Sequence, residues 1–261
     1  MSAPRRRARA VAGLAAIAAA LGCAPGQRAV PRADGFSCSH VFLPMGAGVR
    51  RDYVVTARDP AVGAYRYTQT YAADGGAEPD AGSFAETMAF SNGARRVQRL
   101  RCEPGGGWRA LSTAVDGVSD AGPGGAIAAR GVTSLPAAEA WRVGVSWTDT
   151  GEISARDLPG LPPALVAGGG SSLTGTVTVA STIAASEPIA VPAGRFETYR
   201  IDASTAQRVV VDTGVLGKIP VELVTTTRTW YARGVGMVRQ QAEPYGLTTE
   251  LVAVTGLARS E

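Results

Sequence analysis

Residues 64–71 read AYRYTQTY, and their alternation decides the fold class. Tyr65, Tyr67 and Tyr71 share one parity with Gln69 between them, while Arg66, Thr68 and Thr70 share the other. Period two is the mark of a strand with one covered face. The habit continues downstream. Segment 83–90, SFAETMAF, puts Phe84, Met88 and Phe90 on one parity with Glu86 as the polar exception, and 95–103, RRVQRLRCE, gathers Gln98, Leu100 and Cys102. Between these runs stands Asn92-Gly93, a dipeptide of tight hairpin turns. Later, TGTVTVASTI (174–183), IPVELVTTTRTWYA (219–232) and LTTELVAVTGL (247–257) are long and β-branched. Only SLPAAEAWRV (134–143) carries enough Ala and Glu for about two turns of helix. The chain reads as a mainly all-β antiparallel meander.

The N-terminus speaks to location. PRRRARA supplies a basic region, VAGLAAIAAALG an apolar run of signal-peptide length, and Cys23 follows a small residue, so residues 1–22 are expected to be an export signal. Ala20-Leu21-Gly22-Cys23 resembles the lipobox of bacterial lipoproteins, which makes Cys23 the expected lipid-attachment site; cleavage by an ordinary signal peptidase is the alternative. The arginine run also hints at twin-arginine export. Residues 23–35, rich in Pro, Gly and Arg, read as a flexible tether, and 36–261 as one β-rich domain. The formal charge of +4 comes from Arg5, Arg6, Arg7 and Arg9; without them 22 basic residues balance 22 acidic ones. A nucleic-acid footprint is therefore not expected.

Two cysteines remain, Cys38 and Cys102, and an oxidising compartment favours a disulfide between them over two separate thiols. The single histidine, His40, with no second histidine or CxxC, gives no metal site. A Cys38–His40 nucleophile pair is conceivable, but alternation alone puts both side chains on one face. No GxSxG elbow occurs, and the GPGG and AGGGSS stretches lack the lysine of a phosphate loop. Neither a cofactor nor a catalytic group is expected. The turns at Pro192, Gly194, Gly234 and Gly236 read as structural, and Phe196 and Tyr199 fall on opposite parities after the first of them, which calls for a bulge or a sheet covered on both faces.

Four segments taken in order, FLPMGAGVRRDY (42–53), LPAAEAWRVGVSW (135–147), VPAGRFETYRI (191–201) and WYARGVGMV (230–238), resemble a family of exported bacterial lipoproteins of unknown function. That family carries FP…G, P…VG…W, VPAGxFxT and WxAxGVGxV motifs. The resemblance implies a curved antiparallel sheet or open half-barrel, similar to periplasmic lipoprotein carriers. Two similar half-sheets divided near 131–135 are left open by the paired P…G…aromatic segments.

Three functional readings follow. The first is a lipid-anchored carrier or sensor in the cell envelope, with Tyr65, Tyr67, Phe84 and Phe90 as the candidate face for an apolar small molecule or lipid. That face is core unless a pocket of at least ~300 Å³ adjoins it. The second is an envelope protein–protein interaction module. A hydrolase built on an unseen carboxylate pair ranks last.

Overall fold

The computed structural model describes residues 40–46, 48–61, 63–73, 83–103, 107–116, 127–130, 135–136, 138–156 and 171–257. Twelve strands follow in order: β1 (Arg50–Ala57), β2 (Tyr65–Ala73), β3 (Ser83–Phe90), β4 (Arg95–Glu103), β5 (Gly107–Asp116), β6 (Ile127–Arg130), β7 (Ser146–Arg156), β8 (Ser172–Val191), β9 (Gly194–Asp212), β10 (Lys218–Ala232), β11 (Gly236–Glu243) and β12 (Leu247–Thr255). Each pairs antiparallel with its neighbours in sequence, and β1 also pairs with β12. The expected antiparallel all-β class is present, and this last pairing carries the curvature through to a closed barrel, which leaves no open side edge where strands are matched in length.

Strand alternation sets the two faces. Arg95, Glu152, Arg208, Glu222 and Arg228 point outward and are exposed, so the described outer wall is the reverse of an apolar, lipid-facing barrel band. No described helix is long and apolar enough to cross a membrane. Inward residues form three apolar clusters, of which the largest joins Tyr53, Tyr67, Ile183, Ile201, Tyr231 and Leu251.

One end of the barrel is sealed by the chain itself. Phe42 stacks on Trp141 at 4.0 Å, and Tyr199 and Tyr231 meet the Trp141 ring edge-on at 5.7 and 5.8 Å. Here the structure departs from the expected two-turn helix: only one 3-10 turn forms, Ala138–Ala140. Burying Trp141 in this aromatic stack, with its Nε1 donating to Pro136 O at 2.8 Å, fixes the segment more strongly than Ala and Glu propensity does.

The stretch after Pro192 is also explained. The β8–β9 hairpin bends over β11 and β12, where Ala193 N donates to Leu251 O at 3.0 Å and Arg239 donates to Ala190 O. Both Phe196 and Tyr199 consequently pack on the main cluster, and a bulge between Ile183 and Ala185 shifts the register opposite them. Gly194, Gly234 and Gly236 have φ of 135°, 73° and 106°.

Gly175 lies where the β9 backbone crowds β8. A Cβ there would fall 2.1 Å from Arg208 O and 2.6 Å from Val209 Cα, both backbone atoms that cannot swing aside. Gly175→Ala is expected to destabilise the fold by about 1–3 kcal/mol in denaturant unfolding; an unchanged midpoint would contradict this packing.

Candidate functional site

The four aromatics singled out above all face inward, but they do not form one surface. Tyr67 stacks on Tyr53 at 4.8 Å, and Phe90 lies 5.4 Å from Tyr67 and 6.1 Å from Tyr65. Phe84 belongs to a separate cluster with Tyr71, Leu100 and Met45 near the sealed end. Tyr67 and Phe84 are buried, while Tyr65 and Phe90 are half-buried; burial raises the Tyr65 phenol above its ordinary pKa. Cys23 and Cys38 lie outside the described residues, as does the side chain of Cys102, which β4 places opposite Trp108.

A crevice of about 390 Å³ does touch Tyr67 and Phe90, but it opens on the outer wall, where Asp52 pairs with Thr68 and Ala253 and Thr68 pairs with Ala89. Its rim is polar. Arg50 donates to Asp52 at 2.9 Å and Thr68 Oγ1 donates to the same carboxylate at 2.6 Å. The hydrogen bond from Arg50 holds the Asp52 carboxyl below its usual range, against an opposing effect of burial and with help from Thr68 and Arg66. The space suffices for a ligand, but a hydrated ion pair is poor lining for an apolar one.

Inside the barrel the two walls differ. On β2–β4 a charged network is buried: Arg96 meets Glu86 at 3.3 Å and donates to Gln98 Oε1 at 2.7 Å, while Gln69 Nε2 donates to Glu86 Oε2 at 2.9 Å. On β8–β10 the inward residues change character with depth. Near the β9–β10 turn they are apolar, in the cross-strand rows Leu173–Val211–Ile219 and Gly175–Val209–Val221. Deeper come Val179–Thr205–Thr225 and Ser181–Ala203–Thr227, with Gln207 one row nearer the turn. All five polar residues here are buried.

Among the described residues, the shallow end of this wall is open. Pairing between β10 and β11 begins at Thr226 opposite Glu243, so residues 218–225 are bonded to β9 alone among the described strands. A notch results beside β10. Ile219 and Val221, which have inward parity, are 39% and 40% exposed, and Leu216 at the turn is 61% exposed. Ile219 and Val221 are thus large apolar side chains left exposed on an inner face among the described residues.

Sequence reading missed this wall, because threonine suits either face of a strand and the Thr225-Thr226-Thr227 run hides which residues turn inward. The signal was the inward parity itself: Thr225, Thr227 and Thr229 in succession, with no apolar residue among them.

No family model and no curated protein matches the chain. Two solved structures resemble it loosely. A candidate lipoprotein from Parabacteroides distasonis aligns over 84% of this chain and 99% of its own, at 15% identity and a TM-score of 0.47. A candidate exported protein of YmcC-like fold from Bacteroides fragilis aligns over 83% and 99%, at 11% identity and a TM-score of 0.37. Neither likeness carries a function across.

The buried Glu86–Arg96 pair generates a stability test. Glu86→Leu leaves a buried guanidinium without its carboxylate and is expected to cost about 3–5 kcal/mol, whereas adding Arg96→Met should restore most of that loss. Additive losses in the double variant, read by urea unfolding, would contradict the pairing.

Proposed function

We propose that the protein is an exported, lipid-anchored and non-catalytic barrel that carries or senses an apolar ligand of the cell envelope, held between the β8–β10 wall and the rest of the interior. The observation that supports it most is the exposed inner face of the β9–β10 hairpin at Ile219 and Val221, continuous with buried apolar rows behind it. Such a face costs free energy in water, and an apolar ligand entering at the notch removes it from water. The ligand face thus moves from the β2–β3 aromatics, which pack largely as core, to the opposite wall. Attachment through Cys23 would hold the barrel at a membrane, with residues 23–35 as the tether.

A second reading, an interaction module for another envelope protein, draws on the same hairpin. Val215, Leu216 and Val224 are exposed beside the unpaired edge of β10, which a partner strand could extend. Pro220 and Glu222 on that edge weigh against it, since both discourage strand addition.

Native mass spectrometry of the intact protein released from envelope membranes separates the two. The carrier reading expects a co-purifying apolar adduct that Ile219→Ser with Val221→Ser depletes, together with acyl mass on Cys23. A bare polypeptide mass, or a bound protein in place of a small molecule, would contradict it.

A further inference from the structure

Five polar atoms on the inner wall have no hydrogen-bond partner: Ser181 Oγ, Thr205 Oγ1, Gln207 Nε2, Thr225 Oγ1 and Thr227 Oγ1. Each belongs to a side chain more than nine-tenths buried. They form one patch. Thr205 stands directly opposite Thr225, Ala203 lies between Ser181 and Thr227 in the next row, and Gln207 follows Thr205 on the same face of β9. Thr205 and Thr225 are directly opposed, with Cβ atoms about 5 Å apart, and Ser181, Thr227 and Gln207 border that pair within one strand or one row. A buried hydroxyl or amide left unpaired is expensive, and native folds retain few of them without a reason. Five in one patch, adjoining the notch between β10 and β11, is a reason to look for what they bind.

Four of the five are hydroxyls, which donate or accept, and the fifth is an amide nitrogen, which only donates, so an acceptor is the one partner that suits them all. The inward positions of β8, β9 and β10 from the turn to Ile183, Ile201 and Thr229 hold no charged side chain. Asp149 borders the patch, opposite Val179. On the facing wall, Arg96 is already committed to Glu86. A ligand carboxylate would thus be buried without a cation and beside an acidic side chain, a costly arrangement. A neutral acceptor carries no such penalty. Resting on the carrier reading above, the geometry points to Ser181, Thr205, Gln207, Thr225 and Thr227 as the seat for a neutral carbonyl head, an ester or amide, whose hydrocarbon tail runs along Leu223, Val209 and Val221 to the notch.

The test uses the full chain carrying Cys23→Ala, a neutral naphthylamine dye as reporter of interior binding, and three competitors of equal chain length: methyl laurate, laurate and dodecane. At about pH 8, where laurate is ionised, methyl laurate is expected to displace the dye about tenfold better than dodecane or laurate, the gain expected of two hydrogen bonds. Thr205→Val with Thr225→Val keeps the shape of both side chains, so it should bring methyl laurate to within about twofold of dodecane and leave dodecane unchanged. Because the hydroxyls it removes have no partner among the described residues, the double variant should also melt no lower than the parent, which separates lost recognition from lost folding. Ser181→Ala with Thr227→Val provides an independent second pair. An ester preference that survives both double variants, or laurate binding better than its ester, overturns the carbonyl seat while leaving the carrier reading intact. Failure of the dye and all three competitors to bind overturns both.

Discussion

A single guanidinium ties the sealed end of the barrel together. Arg51 is fully buried, and it donates from Nε to Val235 O at 2.7 Å, from one terminal nitrogen to Pro44 O at 2.6 Å, and from the other to Tyr71 Oη at 3.1 Å. Those three partners belong to the β10–β11 turn, the segment before β1, and β2. A charge taken this far from water is tolerated only with its donors satisfied, so the three elements must meet. Gly236 follows from the same constraint: a Cβ there would sit 2.9 Å from Arg51 Nε, and its φ of 106° already favours glycine. Phe42 and Trp141 stack at the same end of the barrel.

The opposite end follows a different logic. On β2–β4 the polar groups answer one another, as Glu86 does for Arg96 and Gln69. On β8–β10 the donors have no answer among the described residues, and the neighbouring β10 edge is unpaired with any described strand for eight residues. On the proposed carrier reading, that contrast between the two ends sets entry at the notch. Hairpins bonded along one side only are also the segments that open at least cost.

Much of the fold was legible because burying one face of a strand imposes period two. Tyr65, Tyr67, Phe84 and Phe90 were placed on the inner face from parity alone, and the Asn92-Gly93 turn from its dipeptide. Closure was not legible, since the pairing of Arg50–Ala57 with Leu247–Thr255 joins segments almost 200 residues apart and leaves no local trace. Neither were the buried charges: in the Arg50-Arg51-Asp52 run nothing local says which arginine faces in, and Glu86 stood only as an exception to its parity. The candidate site suffered most. Aromatic residues attract attention as ligand surface, yet here they stack on one another, while the distinctive wall is built of threonine, serine and glutamine whose significance appears only when their lack of partners is seen.

The central claim is that the interior loads through the β10–β11 notch. Cysteines at Thr227 and Ala242, direct cross-strand partners with buried side chains, would staple the two strands where the notch begins. The measurement is the rate of dye uptake by this double variant, oxidised and then reduced. The account predicts that oxidation slows uptake, by keeping the notch from widening past Thr226, and that reduction restores it, with the fold unchanged in both forms. Equal uptake rates in the two forms would contradict it.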